Sequence, residues 1–353
     1  MAQSVPQTVK QWNLVGHDGL SSLHFEEKPV PELGDTQVLV KLHGASINFR
    51  DHMLTLGTYP WDMKLPIIPG SDGAGVVVAT GKRVSRFQPG DKVVTVLNPH
   101  LIAGPFVKEL LQYGLGATQD GTFRTVGAFD EHGLVRMPEG LSYAEAATLS
   151  CAGVSAWSAL FGLEGKKVRA GDWVLTLGTG GVSIFALQFA KVVGARVIAT
   201  TSSDEKAQLL KRLGADHVIN YRETPEWGAL AKELTGGVGV DHVIEVGGPN
   251  TLKQSVASLK YDGDLVVMGA IGGLEETKNM PTLLEVWLNQ FTARTTWAGT
   301  RVQMEEMGRA IEANIDRLRP VVDSRVFKLE ELKEAIEYMV AGKHQGNVYI
   351  EIP

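Results

Sequence analysis

Residues 173–191 read WVLTLGTGGVSIFALQFAK, and how this stretch folds decides the architecture. An apolar run, Trp173 to Leu177, meets glycines at 178, 180 and 181, and a long amphipathic run follows. Strand, glycine turn and helix in that order form a βα unit whose helix begins with unpaired backbone N–H groups. Those groups favour negative charge, and glycine lets a pyrophosphate approach the main chain closely. Gly178 would make the turn, while Thr179, Gly180, Gly181 and Val182 would line the close approach. Ser183 stands where the third glycine of the common dinucleotide fingerprint falls. A glycine turn alone is a weak signal, so its surroundings have to carry the reading.

Those surroundings are regular. Strand-like runs at 173–177, 196–200, 217–221, 241–246 and 264–268 alternate with helical runs at 181–193, 203–213, 225–235 and 249–260. Such alternation predicts right-handed βαβ units in an α/β fold, a Rossmann doubly wound parallel sheet. Before residue 150 the pattern is different: QVLVKLHGASI (37–47), GAGVVVAT (73–80) and GDKVVTV (90–96) are short β-rich runs cut by Gly, Pro and Asp. After a helix near 303–317, RVFKLEELKEAIEYMVAGK (325–343) and a last strand, NVYIEI (347–352), return to that first style. The expectation is a β-rich catalytic domain over 1–150, completed by about 302–353, and a dinucleotide-binding domain over 151–301.

Composition narrows the class. At 353 residues the chain exceeds ordinary single-domain size, and 44% apolar with 21% charged residues is a globular balance. A net charge of −6 without a basic block argues against nucleic acid or an anionic membrane surface as partner. No apolar stretch reaches the roughly 18 residues that span a bilayer, and the first 19 residues lack the pattern of a signal peptide. A single cysteine excludes an internal disulfide and a cysteine-rich zinc site. A cytoplasmic protein acting on a small molecule is expected.

The second strand bears on the cofactor. An NAD site usually has an acid about 20 residues after the first glycine, where it accepts from the ribose 2′-hydroxyl. Here RVIATTSSDEK (196–206) ends the strand in Thr200 and Thr201. Small hydroxyl residues, Thr201 and Ser202, leave room for a 2′-phosphate, and Lys206 can supply its counter-charge. Ser202 with Glu205 reads as a capping box, which makes Asp204 a first-turn helix residue. NADP(H) is therefore expected, although Lys206 as a solvated helix charge stays open.

VPELGDTQVLVKLHGASINFRDHMLTLGTYP (30–60), PIIPGSDGAGVV (66–77), PGDKVV (89–94), LSCAGVSAWSAL (149–160), the 178–200 segment and LGADHVINY (213–221) together resemble the medium-chain dehydrogenase/reductase superfamily. The resemblance spans nearly the whole chain. Within it, INFRDH and NYRE look most like the zinc-independent quinone oxidoreductase and enoyl reductase branch. It implies a GroES-like catalytic domain beside the Rossmann domain. The catalytic-zinc positions of the superfamily fall on Asn48, on Ser71-Asp72 and on Cys151, and Asn and Ser are poor zinc ligands, so no metal is expected. By the same resemblance Asn48, Asp51, Tyr59 and Ser155 line the nicotinamide end, with Tyr59 as hydrogen-bond donor or as a pocket-shaping aromatic. Tyr221 flanks the adenosine 2′-phosphate, Val246 closes the fourth strand over the cofactor, and Gly269, Ala270 and Ile271 present backbone to the nicotinamide ribose. Thr300 and Arg301 follow the sixth strand, where relatives touch the nicotinamide side.

The function so implied is NADPH-dependent, zinc-free reduction of a quinone or an α,β-unsaturated carbonyl, with substrate in the cleft between the domains. Two others stay open: a zinc-free carbonyl reductase or alcohol dehydrogenase, and a catalytically silent NADPH-binding protein. A homodimer through the edge of the sixth strand is expected by analogy. No G-x-S-x-G occurs, so a Ser–His–Asp hydrolase is unsupported.

Overall fold

The computed structural model describes residues 6–273 and 280–353. Two compact units emerge: Met1–Val154 with Thr300–Ile315 and Arg319–Pro353, and Ser155–Gly299 with Asp316–Leu318. Thr300 and Arg301 thus belong to the first unit, not to the sheet they follow.

The first unit opens with an antiparallel pair, β1 (Thr8–Leu14) and β2 (Leu23–Pro29). Then come β3 (Gln37–Ile47), α1 (Phe49–Leu56), β4 (Asp72–Thr80), β5 (Lys92–Thr95), β6 (Val126–Asp130), β7 (Leu134–Arg136) and the short α2 (Tyr143–Ala146). A π-helical turn, Leu149–Gly153, leads into α3 (Val154–Phe161) at the junction with the second unit. Strand β3 is buried along most of its length because antiparallel partners flank it on both edges, β4 on one side and β6 beside it. Helix α1 begins where it does because the Asp51 carboxylate accepts from the Asn48 backbone N–H at 2.8 Å, an acid at the positive end of the helix. Leu54 and Thr55 anchor its inner face.

The second unit is the predicted alternation: β8 (Trp173–Leu177), α4 (Gly181–Val192), β9 (Arg196–Thr201), α5 (Asp204–Arg212), β10 (His217–Asn220), α6 (Trp227–Leu234), β11 (Val240–Glu245), α7 (Pro249–Ser258), β12 (Leu259–Val267), α8 (Leu283–Asn289) and β13 (Thr292–Thr295). All strand pairs are parallel, in the order β10-β9-β8-β11-β12-β13. This is the doubly wound order, and its direction reverses between β8 and β11, where such sheets bind ligands. All five residues of β8 are buried, as a central parallel strand requires. Trp173, Leu175, Ile198, Val243 and Leu265 form the sheet's core. Two differences from the sequence reading appear: α7 stops at Ser258 and β12 starts at Leu259, five residues early, across a register shift between Val240 and His242; and α8 was not anticipated.

The chain re-enters the first unit through α9 (Arg301–Ala313), and α10 (Ile315–Leu318) carries three residues of the second. Then β14 (Val322–Lys328), α11 (Leu332–Val340) and β15 (Asn347–Glu351) complete the seven-stranded sheet, β14-β15-β3-β4-β5-β7 with β6 on β3. Leu14, Val40, Leu54, Phe123, Phe327, Leu332 and Ile350 share one core. Each such side chain contributes about 1.5–3 kcal/mol on burial, so the last thirty residues are integral to this unit. Among the described residues no helix is long and apolar enough to cross a membrane.

Candidate active site

Two groups of predicted residues assemble, one in each unit. In the second unit the loop after β8 is an open cradle. Gly178 has φ +76°, which an L side chain rarely adopts, and its N–H donates to Thr200 O at 3.0 Å. Gly180 is the N-cap of α4 with an ordinary φ of −76°, and a Cβ at either glycine would meet nothing within 4 Å. No side chain caps α4 and no acid lies in its first turn, so the amides of that turn have no anion of their own. Thr179 is buried and Val182 half-buried beside them. Ser183 faces the other way: it is buried, and its hydroxyl donates to Leu177 O at 2.6 Å, clamping the helix to the strand. Its part in the loop is therefore packing.

At the end of β9, Thr201 is buried and its hydroxyl has no hydrogen-bond partner. Ser202 is half-buried, and Lys206 is half-buried in the first turn of α5. The cap of α5 is Ser203, which accepts from the Lys206 N–H at 3.4 Å, rather than Ser202. This frees the Ser202 hydroxyl from capping. Tyr221 joins the group because its N–H donates to Thr201 O at 3.0 Å, leaving the ring 41% exposed. On the other side of the reversal, Val246 O accepts from Ile271 N at 3.1 Å, which sets the Gly269–Ala270–Ile271 segment against the end of β11.

One residue of this unit escaped the sequence reading. Glu245 is fully buried at the end of β11, where Oε1 accepts from Gly247 N at 2.7 Å, Gly248 N at 2.9 Å and the Thr251 hydroxyl at 2.6 Å, and Oε2 accepts from the Ser255 hydroxyl. The start of α7 thus has an internal anion, whereas α4 has none. The signal was an acid closing an apolar strand just before two glycines.

In the first unit, the register pairs Ser46 at the end of β3 with Asp72 at the start of β4, which brings the segment after Ile47 beside Ser71 and Asp72. The Thr95 hydroxyl donates to Ser71 O at 2.9 Å and meets the Ser150 hydroxyl at 3.1 Å, drawing the π-helical turn and Cys151 to the same place. Asp51 and Asp72 are both buried, and the Ser71 hydroxyl donates to Asp72 Oδ1 at 2.8 Å. Burial pushes Asp51 up to about 6, against the opposing pull of Arg50, and pushes Asp72 up to about 7, against Asn48 and Ser71. The Cys151 thiol is pushed up by burial and then by Asp72, which disfavours its thiolate form.

Arg50 sits in this cluster, and the sequence reading passed over it. Its Nη1 lies 3.7 Å from Asp51 Oδ1, and its guanidinium carbon lies 5.2 Å from the Tyr59 ring centroid. Burial opposes its charge, but Tyr59, Asp51 and Cys151 together hold its pKa above the ordinary value. Tyr59 is half-buried and meets Trp61 edge-on at 5.1 Å. Ser155 is buried in the first turn of α3, at the start of the second unit. Thr300 caps α9, and Arg301 donates its N–H to Leu101 O at 2.9 Å while its Nη1 pairs with His132 Nδ1 at 3.0 Å. These two are engaged within the first unit. Among the described residues no group of three His, Cys, Asp or Glu side chains is disposed to hold a metal ion.

Comparison with known proteins gives the class. Residues 34–139 match the family described as alcohol dehydrogenase GroES-like domain, and residues 181–313 match the zinc-binding dehydrogenase family. A zinc-type alcohol dehydrogenase-like protein of Schizosaccharomyces pombe is 43% identical over 343 residues, covering 96% of this chain and 98% of that protein. Human quinone oxidoreductase is 29% identical over 343 residues, covering 96% and 95%. A crystal structure of an NAD-dependent alcohol dehydrogenase superposes with a TM-score of 0.86 at 30% identity, covering 98% of this chain and all of the other. The chain belongs to the medium-chain dehydrogenase/reductase superfamily, a superfamily of oxidoreductases, with a GroES-like part and a Rossmann-like parallel sheet.

Proposed function

We propose that this protein is an NADPH-dependent oxidoreductase that reduces a quinone or an α,β-unsaturated carbonyl without a metal ion. The observation that carries the reading is the chemistry of the first unit's cluster. Where a catalytic zinc would need three good ligands, this chain has an amide, a hydroxyl, a carboxylate and a half-buried thiol, with a guanidinium among them. Asn and Ser bind zinc poorly, and a fixed positive charge repels a dication, so the residues present do not fit that metal.

A dinucleotide does fit the second unit. The uncapped start of α4 and the open space at Gly178 and Gly180 would hold the pyrophosphate. Thr201, Ser202, Lys206 and Tyr221 would surround a 2′-phosphate at a strand end without an acid. When bound, the cofactor would supply a hydride. Hydride addition at the β-carbon of the substrate would move the C=C π pair between the α-carbon and the carbonyl carbon and the C=O π pair onto oxygen, and the resulting enolate would take a proton at its α-carbon. Tyr59 is the proposed proton donor, reprotonated from solvent. For a quinone the same two electrons and two protons give the hydroquinone.

Lys206→Ala is expected to weaken NADPH binding about tenfold, the loss of one charge-assisted contact, and to leave NADH affinity within about twofold. Fluorescence titration checks this, and equal losses for both cofactors would reverse the assignment to NADP. The function itself is tested by NADPH oxidation against a panel of enones, quinones and simple ketones, with metal analysis of the same preparation. Turnover of enones or quinones by zinc-free protein is expected. Turnover of simple ketones alone would favour the carbonyl reductase, and tight NADPH binding with no turnover the silent protein.

We further propose a cytosolic homodimer. The edge position of β13 and the exposed apolar side chains of α8 (Leu283, Leu284, Trp287 and Leu288) support a second copy pairing there. Sedimentation equilibrium is expected to give twice the 38.1 kDa chain mass, and a monomer at micromolar concentration would contradict it.

A further inference from the structure

The side chain of Arg50 is only 9% exposed, yet none of its three nitrogens donates a hydrogen bond. Its closest anion, Asp51 Oδ1 at 3.7 Å from Nη1, lies beyond hydrogen-bond length. A guanidinium carries five N–H donors, and buried donors are ordinarily satisfied. The Asn48 side-chain amide is a second buried donor; it makes no hydrogen bond of good geometry, and its polar neighbour is the Asp72 carboxylate. Asn48 and Arg50 both lower the pKa of Asp72, so they belong to one cluster. Donors left open on a planar fork and a neighbouring amide are what an oxygen acceptor from outside the chain would complete.

We infer that Arg50, together with the Asn48 amide, binds the carbonyl oxygen of the substrate and stabilises the negative charge that gathers on it as the hydride arrives. This rests on the reading above that the substrate is a conjugated carbonyl or a quinone. The guanidinium takes the electrostatic part that a bound metal cation would otherwise take, with the difference that its charge is fixed by the chain. Its surroundings select the ligand class. Asp51 and Asp72 also keep an unpartnered oxygen each, Oδ1 and Oδ2. A free carboxylate entering here would meet two acids as well as one cation. A neutral carbonyl meets the donors and becomes negative only in the transition state, where preorganised donors act most strongly. The site is therefore built for a neutral ketone, enone or quinone oxygen.

The test uses the full-length protein and three variants, Arg50→Lys, Arg50→Met and Asn48→Ala. Two binding constants are measured, NADPH by fluorescence and 2-cyclohexen-1-one by calorimetry in the NADP⁺-saturated protein, where no turnover occurs; kcat and KM follow for enone reduction. NADPH affinity is expected to stay within about twofold for all three, because the proposed cradle is made by other residues. Arg50→Met is expected to lose roughly 100-fold in kcat and about tenfold in enone affinity, with Arg50→Lys between it and the wild type and Asn48→Ala losing about tenfold in kcat. Should Arg50→Met fail to fold, Arg50→Lys and Asn48→Ala decide. Folded variants with wild-type enone affinity and kcat would overturn the role of Arg50 and leave the reductase reading standing. Benzoate binding as tightly as the enone would overturn the ligand class. A wild-type protein that binds neither NADPH nor enone would overturn the reductase reading itself.

Discussion

Gly180→Val is expected to weaken NADPH binding by roughly 100-fold or more while the protein stays folded, the loss of about two charge-assisted hydrogen bonds. The choice of position matters. At Gly178 the positive φ makes any side chain strained, so a failure there would mix misfolding with lost binding. At Gly180 the backbone is already extended, at φ −76° and ψ 169°, which valine adopts readily. A Cβ there meets no atom of the protein within 4 Å. No capping hydrogen bond from residue 180 is lost, since glycine provides none. The branched side chain would then occupy the space in front of the first-turn amides of α4, which in this account belongs to the pyrophosphate. Thermal unfolding within a few degrees of wild type, together with lost fluorescence enhancement of NADPH, is the expected pair of results. Unchanged affinity would remove this helix start from the account.

Asp72→Asn is expected to change the pH dependence of stability. The Asp72 carboxyl is buried, and burial raises its pKa from 3.8 to about 7. A carboxyl whose folded pKa is raised contributes stability that is fully present below the unfolded value and is lost as pH climbs through the folded one. The wild type therefore loses this contribution between about pH 4 and pH 7. Asparagine keeps the shape, can still accept from the Ser71 hydroxyl and does not titrate. Measured by urea unfolding, the difference between variant and wild type is expected to move in the variant's favour by on the order of 2 kcal/mol from pH 5 to pH 8. A difference that stays constant across that range would mean that Asp72 is ionised throughout and that the guanidinium compensates it fully.

How much of this was legible in the sequence depends on how local the cause is. The second unit is a chain of local patterns. An apolar run between turn residues gave β8 as Trp173–Leu177, and the helical period gave α4 from Gly181, both as observed. The reading slipped where local signals compete. Ser202 and Ser203 both suit an N-cap, and only the backbone geometry selects Ser203. Residues 259 and 260 continue the preceding helical run by composition, while the pairing of Leu259 with Val240 of β11 draws the chain into the sheet early. Arg50 was illegible for a different reason. A charged residue in the first turn of a helix is normally solvated, and nothing within ten residues says otherwise. Its burial follows from the β3–β4 register and from the π-helical turn at Leu149–Gly153, about a hundred residues away. Asp51 shows the converse. The resemblance offered it as an active-site residue, and in the structure its Oδ2 caps α1 while its Oδ1 faces the guanidinium.

These observations fit a division of work along the chain. The parallel sheet presents an open helix start at the point where its strand order reverses, and the GroES-like part holds a charged cluster around Arg50, Asp51 and Asp72. Proteins with perturbed, incompletely paired buried groups at one place commonly use that place for chemistry. The half-buried thiol of Cys151 and the two raised carboxyls are part of this environment.

The most direct measurement is a crystal structure of the protein grown with NADPH, with anomalous scattering recorded at the zinc edge. The account predicts pyrophosphate oxygens against the first-turn amides of α4, the 2′-phosphate among Thr201, Ser202 and Lys206, and no anomalous peak beside Cys151. A dinucleotide bound elsewhere, or a zinc ion ligated by Cys151 and Asp72, would contradict it.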